Sequence, residues 1–538
     1  MNEIAISPDG SRIVYIVEEG GKTAVYSRQL GDPQAQRLDI GRDVRGPTLS
    51  PDGTWLAFFE NFDTLMRVSL SGGPPQRIAT VPRPSGTVAW LADGKLLYAE
   101  MDVKRVVEVD VAKGSRRVVA QLQRAFEGFE NVAASPDPDW VLADGWNGMA
   151  VSDYRVMAVH RTSGALEVLV ENASNPAVVG DDILIFQRGA ALFAMRFDFH
   201  ARRALGEARL VFPGVSTDRW GGSSQFAVSP EGTLVVVPGK RRGEGRRIVW
   251  TSPDGTIEPI SSEPDAFSQN LDLSRAGNAL VVGTLRNREE LWSLDLVGRS
   301  MSPVVVGESM GCSLSPRGDT VFYGINTEDG GELRSMRLGS GATTILAKGR
   351  YHPTSVSAEG RHVLLWGNLD PAQSDNWDIL SLDTALEPPQ LVPWIATPAR
   401  ESNASLSPDD KWLAYQSDRA GRTEIFVRAW PDGQRDWKVS AGPGEEPRWS
   451  PDGQTLYYLD GARLMAVDLV LTDEQSVSVG AAREVLANMA FAEFQKYGVG
   501  RDGRIAMVQL ADWELAESRL QVVVGWAAEL ERVLAPTR

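Results

Sequence analysis

Short apolar runs recur along this chain, and they are apolar at both alternating positions rather than at one. They include RIVYIV (12–17), WLAFFE (55–60), KLLYAE (95–100), LVVVPG (234–239) and ALVVGT (279–284). TVFYGI (320–325), HVLLWG (362–367), WLAYQS (412–417), TLYYLD (455–460) and RIAMVQ (504–509) continue the series. A strand covered on one face alternates apolar and polar residues, whereas a strand covered on both faces does not. The runs therefore predict strands in sheets stacked face to face. Helical periodicity is absent until the tail. There, Trp526 to Leu534 reads as a short helix with Trp526, Leu530, Val533 and Leu534 on one face.

A turn signal precedes each run. Its full form is Ser-Pro-Asp-Gly, as at Ser7-Pro8-Asp9-Gly10, Ser50-Pro51-Asp52-Gly53 and Ser450-Pro451-Asp452-Gly453. Ser at the first position, Pro at the second and Gly at the fourth fit a type I turn, because Pro pre-sets φ. Worn versions fill the intervals, among them Leu91-Ala92-Asp93-Gly94, Ser274-Arg275-Ala276-Gly277, Ser315-Pro316-Arg317-Gly318, Ser407-Pro408-Asp409-Asp410 and Gly500-Arg501-Asp502-Gly503. About twelve units result, spaced roughly 40–50 residues apart, the period of four-stranded propeller blades. Ser252-Pro253-Asp254-Gly255 is out of phase and reads as a hairpin turn inside the sixth unit.

The expected fold is thus all-β: two tandem six-bladed β-propellers with a short C-terminal helix. Twelve blades exceed the usual ring of four to eight. The expected division is residues 1–265 for the first propeller and 266–538 for the second, and a single twelve-bladed ring is the alternative. The first unit opens on its innermost strand, and nothing before Asn2 could supply a closing strand. That reads as a chain continued upstream; the other reading takes Met1 as the true start.

Composition narrows the function. The formal net charge of −16 argues against a nucleic-acid partner, whose phosphates it would repel. A single cysteine, Cys312, allows no intrachain disulfide and disfavours a cysteine-based metal site. No apolar run approaches the length of a membrane helix, and the N-terminus carries no signal-peptide pattern. The four histidines have no zinc-ligand spacing, so no metal or cofactor is expected. The clusters Asp137/Asp139/Asp144 and Asp370/Asp375/Asp378 lack calcium-loop spacing and read as solvated turns.

Catalytic motifs fail on context. Gly307-Glu308-Ser309-Met310-Gly311 matches the G-x-S-x-G nucleophile elbow, but the elbow needs a helix after the serine, and here another β-rich run follows. Gly20-Gly21-Lys22-Thr23 would place the first glycine of a phosphate loop at Ile16, so it reads as a hairpin. Neither an H-R-D nor a D-F-G kinase signature is present. The chain is expected to bind rather than catalyse.

The Ser-Pro-Asp-Gly units resemble the WD-like repeats of TolB-type β-propellers. From Leu192 onward, LFAMRFD, AVSPEGTLVVVPG, RRIVWTSPDGTIEPI and the stretch from Leu406 to Leu469 resemble the tandem propellers attached to bacterial transmembrane serine/threonine kinases, as does the ending LQVVVGWAAELERVL. That resemblance implies an extracytoplasmic sensor module preceded by a kinase and a membrane helix; read literally from Met1, the chain would be cytoplasmic. Kinase activity cannot be carried over to any residue here. Propellers of prolyl-oligopeptidase-like hydrolases and stand-alone TolB-like scaffold proteins are the alternatives.

Loops that join blades are the longer and richer ones. Trp220, Tyr351, His352, Arg400, Glu401, Phe494 and Tyr497 lie in or beside them. Aromatic and arginine side chains on scaffolded loops are typical binding anchors. These seven residues are the expected rim for a protein, a peptide or a small polar ligand; the competing expectation is that they plug the channel mouth or pack between blades.

Overall fold

The computed structural model describes the chain apart from residues 1–2, 20–21, 42, 62, 83, 101–103, 124–126, 147–152, 218–224, 242, 287–288, 308, 328–329, 370–376, 474–475, 488–496, 512–518 and 536–538. Its described residues form twelve antiparallel sheets, eight of them made of four strands joined in sequence order. The chain falls into two compact units, Met1–Arg242 with Ala516–Arg538, and Gly243–Leu515.

In unit 1 the innermost strands are Glu3–Ile6, Arg45–Leu49, Pro84–Trp90, Gly128–Ala134, Ser174–Val179 and Phe226–Val228. Each packs beside the next, and the last packs beside the first, so six blades close a ring. Unit 2 closes in the same way through Phe267–Leu273, Ser309–Leu314, Tyr351–Val356, Glu401–Leu406, Glu445–Trp449 and Gly498–Val499. Two closed rings of six replace the single twelve-bladed alternative.

The ring closures redraw the division expected at residue 265. The sixth sheet of unit 1 pairs Leu234–Val236 with Gln521–Val523 from the far end of the chain. One sheet of unit 2 pairs Arg247–Thr251 with Ile505–Gln509. Residues 243–265 therefore belong to unit 2, and the tail belongs to unit 1. Unit 2 is an insertion within the last blade of unit 1. Ser252-Pro253-Asp254-Gly255 does form a hairpin turn, but it lies in the closing sheet of unit 2, with the Gly255 amide donating to the Ser252 carbonyl.

The tetrads fold as their residue types dictate. Gly10, Gly53 and Gly453 take φ of 68°, 69° and 72°, the left-handed region that glycine enters at least cost. The serine hydroxyls of Ser7, Ser50 and Ser450 each accept the amide five residues on and donate to the aspartate of the same turn. Those bonds hold Asp9, Asp52 and Asp452 below the usual carboxylate range. After the turn the chain enters the second strand, buried on both faces; Leu56, Ala57 and Phe58 are wholly inaccessible. The tail helix spans Trp526–Val533 and buries Trp526 and Leu530 against Val179, Ile185, Leu234 and Val236 of unit 1. None of the described helices is long and apolar enough to cross a membrane.

At the start of the first strand, Glu3 accepts the Gly46 amide of the neighbouring blade. Burial pushes its carboxyl up to about 7, against the lowering effects of that amide and of Arg45. A proton is thus held more tightly by the folded chain than by the unfolded one. This contribution is fully present below about pH 4.5 and is lost as pH rises through about 7. Glu3→Gln is expected to melt higher than the parent at pH 8, with the gap closing by pH 4. Thermal melts at pH 4, 6 and 8 check this, and a gap that widens toward acid would refute it.

Candidate ligand site

The end of unit 2 where blades are joined carries most of the expected rim. Two neighbouring blades build it: Tyr351–Ile395 and Glu401–Lys438. His352 lies one residue into its strand and stacks flat on Trp366, with ring centroids 3.7 Å apart at 4°. Trp366 is the penultimate residue of the second strand of that blade and meets Trp377, which precedes the third, at 4.7 Å and 41°. The Arg400 guanidinium carbon lies 5.5 Å from the Trp377 ring centroid, within cation–π range. His352 and Arg400 thus do come together, through two tryptophans absent from the expected rim.

Two carboxylates adjoin Trp377. Asp378 follows Trp377 and is half-buried; burial and the neighbouring Glu401 charge push its carboxyl up. Glu401 is completely buried, and its amide donates to the Trp377 carbonyl at 2.8 Å. Its Oε1 accepts the Thr397 hydroxyl at 2.6 Å and the Ser417 hydroxyl at 3.2 Å. Three buried polar atoms here have no hydrogen-bond partner among the described residues: Trp366 Nε1, Asp378 Oδ1 and Glu401 Oε2. One is a donor and two are acceptors. Buried polar atoms are nearly always paired, so these three stand out as atoms with unused hydrogen-bonding capacity.

Other expected rim residues do different work. Tyr351 is a core residue, 6% exposed. Its ring lies so close to Gly349 and Gly367 that a Cβ on either would come within 2.8 Å of it. Glu401 is likewise no rim residue, because the strand Glu401–Leu406 already begins at it, inside the stretch that reads as a loop. Tyr497 is fully buried, and its hydroxyl donates to the Glu446 carbonyl at 2.9 Å. Trp220 and Phe494 lie outside the described residues. Ser309 is buried within strand Ser309–Leu314, its Oγ 3.4 Å from the Gly311 carbonyl oxygen.

Sequence reasoning missed Trp366 and Trp377 because they sit within or beside runs read as strands. The signal was there: Trp366 is the penultimate residue of HVLLWG, and Trp377 immediately precedes the third strand. Asp144 also differs from expectation. It is not solvated but fully buried in strand Trp140–Trp146 of unit 1. Among the described residues, no group of three or more His, Cys, Asp or Glu could hold a metal ion.

No family model matches this chain, and no curated protein matches it. Solved structures similar to it include a putative TolB from Agrobacterium tumefaciens, at 18% identity and a TM-score of 0.38, covering 50% of this chain and 99% of that one. An oligogalacturonate lyase from Vibrio parahaemolyticus matches at 16% identity and a TM-score of 0.34, covering 62% and 87%. TolB from Acinetobacter baumannii matches at 12% identity and a TM-score of 0.31, covering 68% and 82%.

Proposed function

We propose that this chain is a non-catalytic binding module, and that unit 2 holds a small polar ligand against Trp366, Trp377 and Arg400. The observation that carries this is the trio of unpartnered polar atoms, Trp366 Nε1, Asp378 Oδ1 and Glu401 Oε2. A ligand that offers donors to the two carboxylates and an acceptor to the indole N–H would satisfy all three. The paired tryptophan rings favour a ligand with one apolar face, as a sugar ring or a cyclic amine has. The resemblance of the segments from Leu192 onward supports the finer reading that the module is the extracytoplasmic sensor of a serine/threonine kinase-like receptor. DNA sequence upstream of the Met1 codon tests that reading: an in-frame kinase and membrane span would support it, and a stop codon would refute it.

The site itself is tested by thermal-shift screening against neutral monosaccharides, amino sugars and cyclic amines. At least one class is expected to raise the melting temperature of the parent chain. In the double variant Trp366→Phe/Asp378→Asn a smaller aromatic ring remains at 366 and the side-chain shape at 378, while the indole donor and a charge are lost. Affinity for the hit should fall about tenfold or more, the effect of one lost hydrogen bond to a charged group. A hit bound equally by the parent and the variant would place the site elsewhere.

A further inference from the structure

At the other end of the unit 2 channel, where the tetrad turns lie, the innermost strands enclose a cavity of about 480 Å³. Arg275, Arg317, Arg448 and Arg501 all line it. For a chain of net charge −16, four arginines around one cavity is not what composition alone would produce. Three of them come from departures from the turn pattern: Arg275 and Arg501 occupy the proline position of their tetrads, and Arg317 the aspartate position. The equivalent cavity of unit 1, about 420 Å³, is lined by Pro47, Trp90, Pro136, Pro176, Phe226 and Pro230 among others, with no arginine or lysine. The basic lining therefore belongs to unit 2 and not to the fold in general.

Existing contacts account for only part of this charge. Asp272 lines the cavity too, but its Oδ2 accepts the Leu314 amide at 2.7 Å and the Ser313 hydroxyl at 3.2 Å. Arg448 lies 3.5 Å from Glu446 and donates to the Pro447 carbonyl. Arg275 donates to the Val356 and Pro408 carbonyls, and its Nη1 lies 3.2 Å from Asp410 Oδ1. Asp410 stands where the tetrad has glycine, at φ 54°. Neither Arg317 nor Arg501 has a carboxylate partner among the described residues, and both are exposed at the mouth.

We propose that this mouth is an anion site for a small ligand bearing carboxylate or phosphate groups. Arg317 and Arg501 would hold the anion, and Asp410 acts as its internal competitor for Arg275. Planar guanidinium groups match the oxygen pairs of both anions. The site is separate from the aromatic site at the loop end and does not depend on it.

Calorimetric titration of the full chain with citrate and with inorganic phosphate, at ionic strength held constant with sodium chloride, tests this. Saturable binding of either anion is expected, and the stronger of the two identifies the ligand's chemistry. Arg317→Ala/Arg501→Ala should weaken that binding about tenfold or more. Asp410→Asn keeps the turn, since asparagine also adopts φ near 54°, and it removes the competitor. It should tighten binding about threefold or more, a gain that misfolding cannot mimic. No saturable binding of either anion, or the same affinity in all three proteins, would overturn the proposal.

Discussion

Replacing Trp526 with alanine is expected to loosen unit 1 while leaving unit 2 intact, although residue 526 follows the end of unit 2 closely in the sequence. Trp526 is 3% exposed and Leu530 is inaccessible. Both pack into one core with Val179, Ile183, Ile185, Leu192, Leu234 and Val236. Truncating a buried tryptophan costs about 3–5 kcal/mol, partly lost transfer energy and partly the cavity left behind. Amide hydrogen exchange should accelerate in Ile183–Arg188 and Leu234–Val236. It should not change in Val281, Leu364 or Leu413, which lie in unit 2. A consecutive division at residue 265 predicts the reverse pattern, so acceleration confined to residues 267–486 would sink the nested arrangement.

Asp144→Ala is expected to be as damaging, by a different route. The Asp144 carboxylate is fully buried and accepts the Asn131 amide at 2.7 Å, the Asn131 side-chain N–H at 3.0 Å and the Asn175 amide. Those donors belong to the innermost strands Gly128–Ala134 and Ser174–Val179, so one side chain ties two blades together. Alanine would leave the donors buried without an acceptor. Each buried donor left without an acceptor costs about 1–3 kcal/mol. Asp144→Asn should recover only part of that, because its amide sets a donor against donors. Urea unfolding of the three proteins gives the order. An alanine variant within about 0.5 kcal/mol of the parent, the range of ordinary surface changes, would refute the role.

The repeat was legible because each blade begins with a turn that only a few residue types can make. Gly10, Gly53 and Gly453 announce it through left-handed φ, and the doubly buried strand after it shows no alternation. Ring closure was not legible. Leu234–Val236 and Arg247–Thr251 look like neighbours in one blade, yet each pairs with a strand more than 250 residues later (521 − 236 = 285 and 505 − 251 = 254). A local pattern carries no information about a partner that distant.

The candidate site was legible in part for a similar reason. Loop composition pointed to the end of unit 2 where His352 and Arg400 meet the two tryptophans, but Tyr351 and Glu401 begin strands there and turn inward. Asp144 misled because a carboxylate in a strand looks solvated until its three donors are assembled from two other strands. The arginines of the worn tetrads stood in plain view, but their convergence on one cavity needed the ring.

Nesting one propeller inside the last blade of another sets an order of events during synthesis. Strand Leu234–Val236 emerges from the ribosome 285 residues ahead of its partner Gln521–Val523 (521 − 236 = 285). At typical translation speeds that is a wait of roughly 15–60 s. Throughout it, one edge of the incomplete sheet stays open, the kind of edge that recruits stray strands. Both strands that close unit 2, Arg247–Thr251 and Ile505–Gln509, are made before the tail appears. The inserted propeller therefore finishes first. The propeller that began first is completed last, by strand Gln521–Val523.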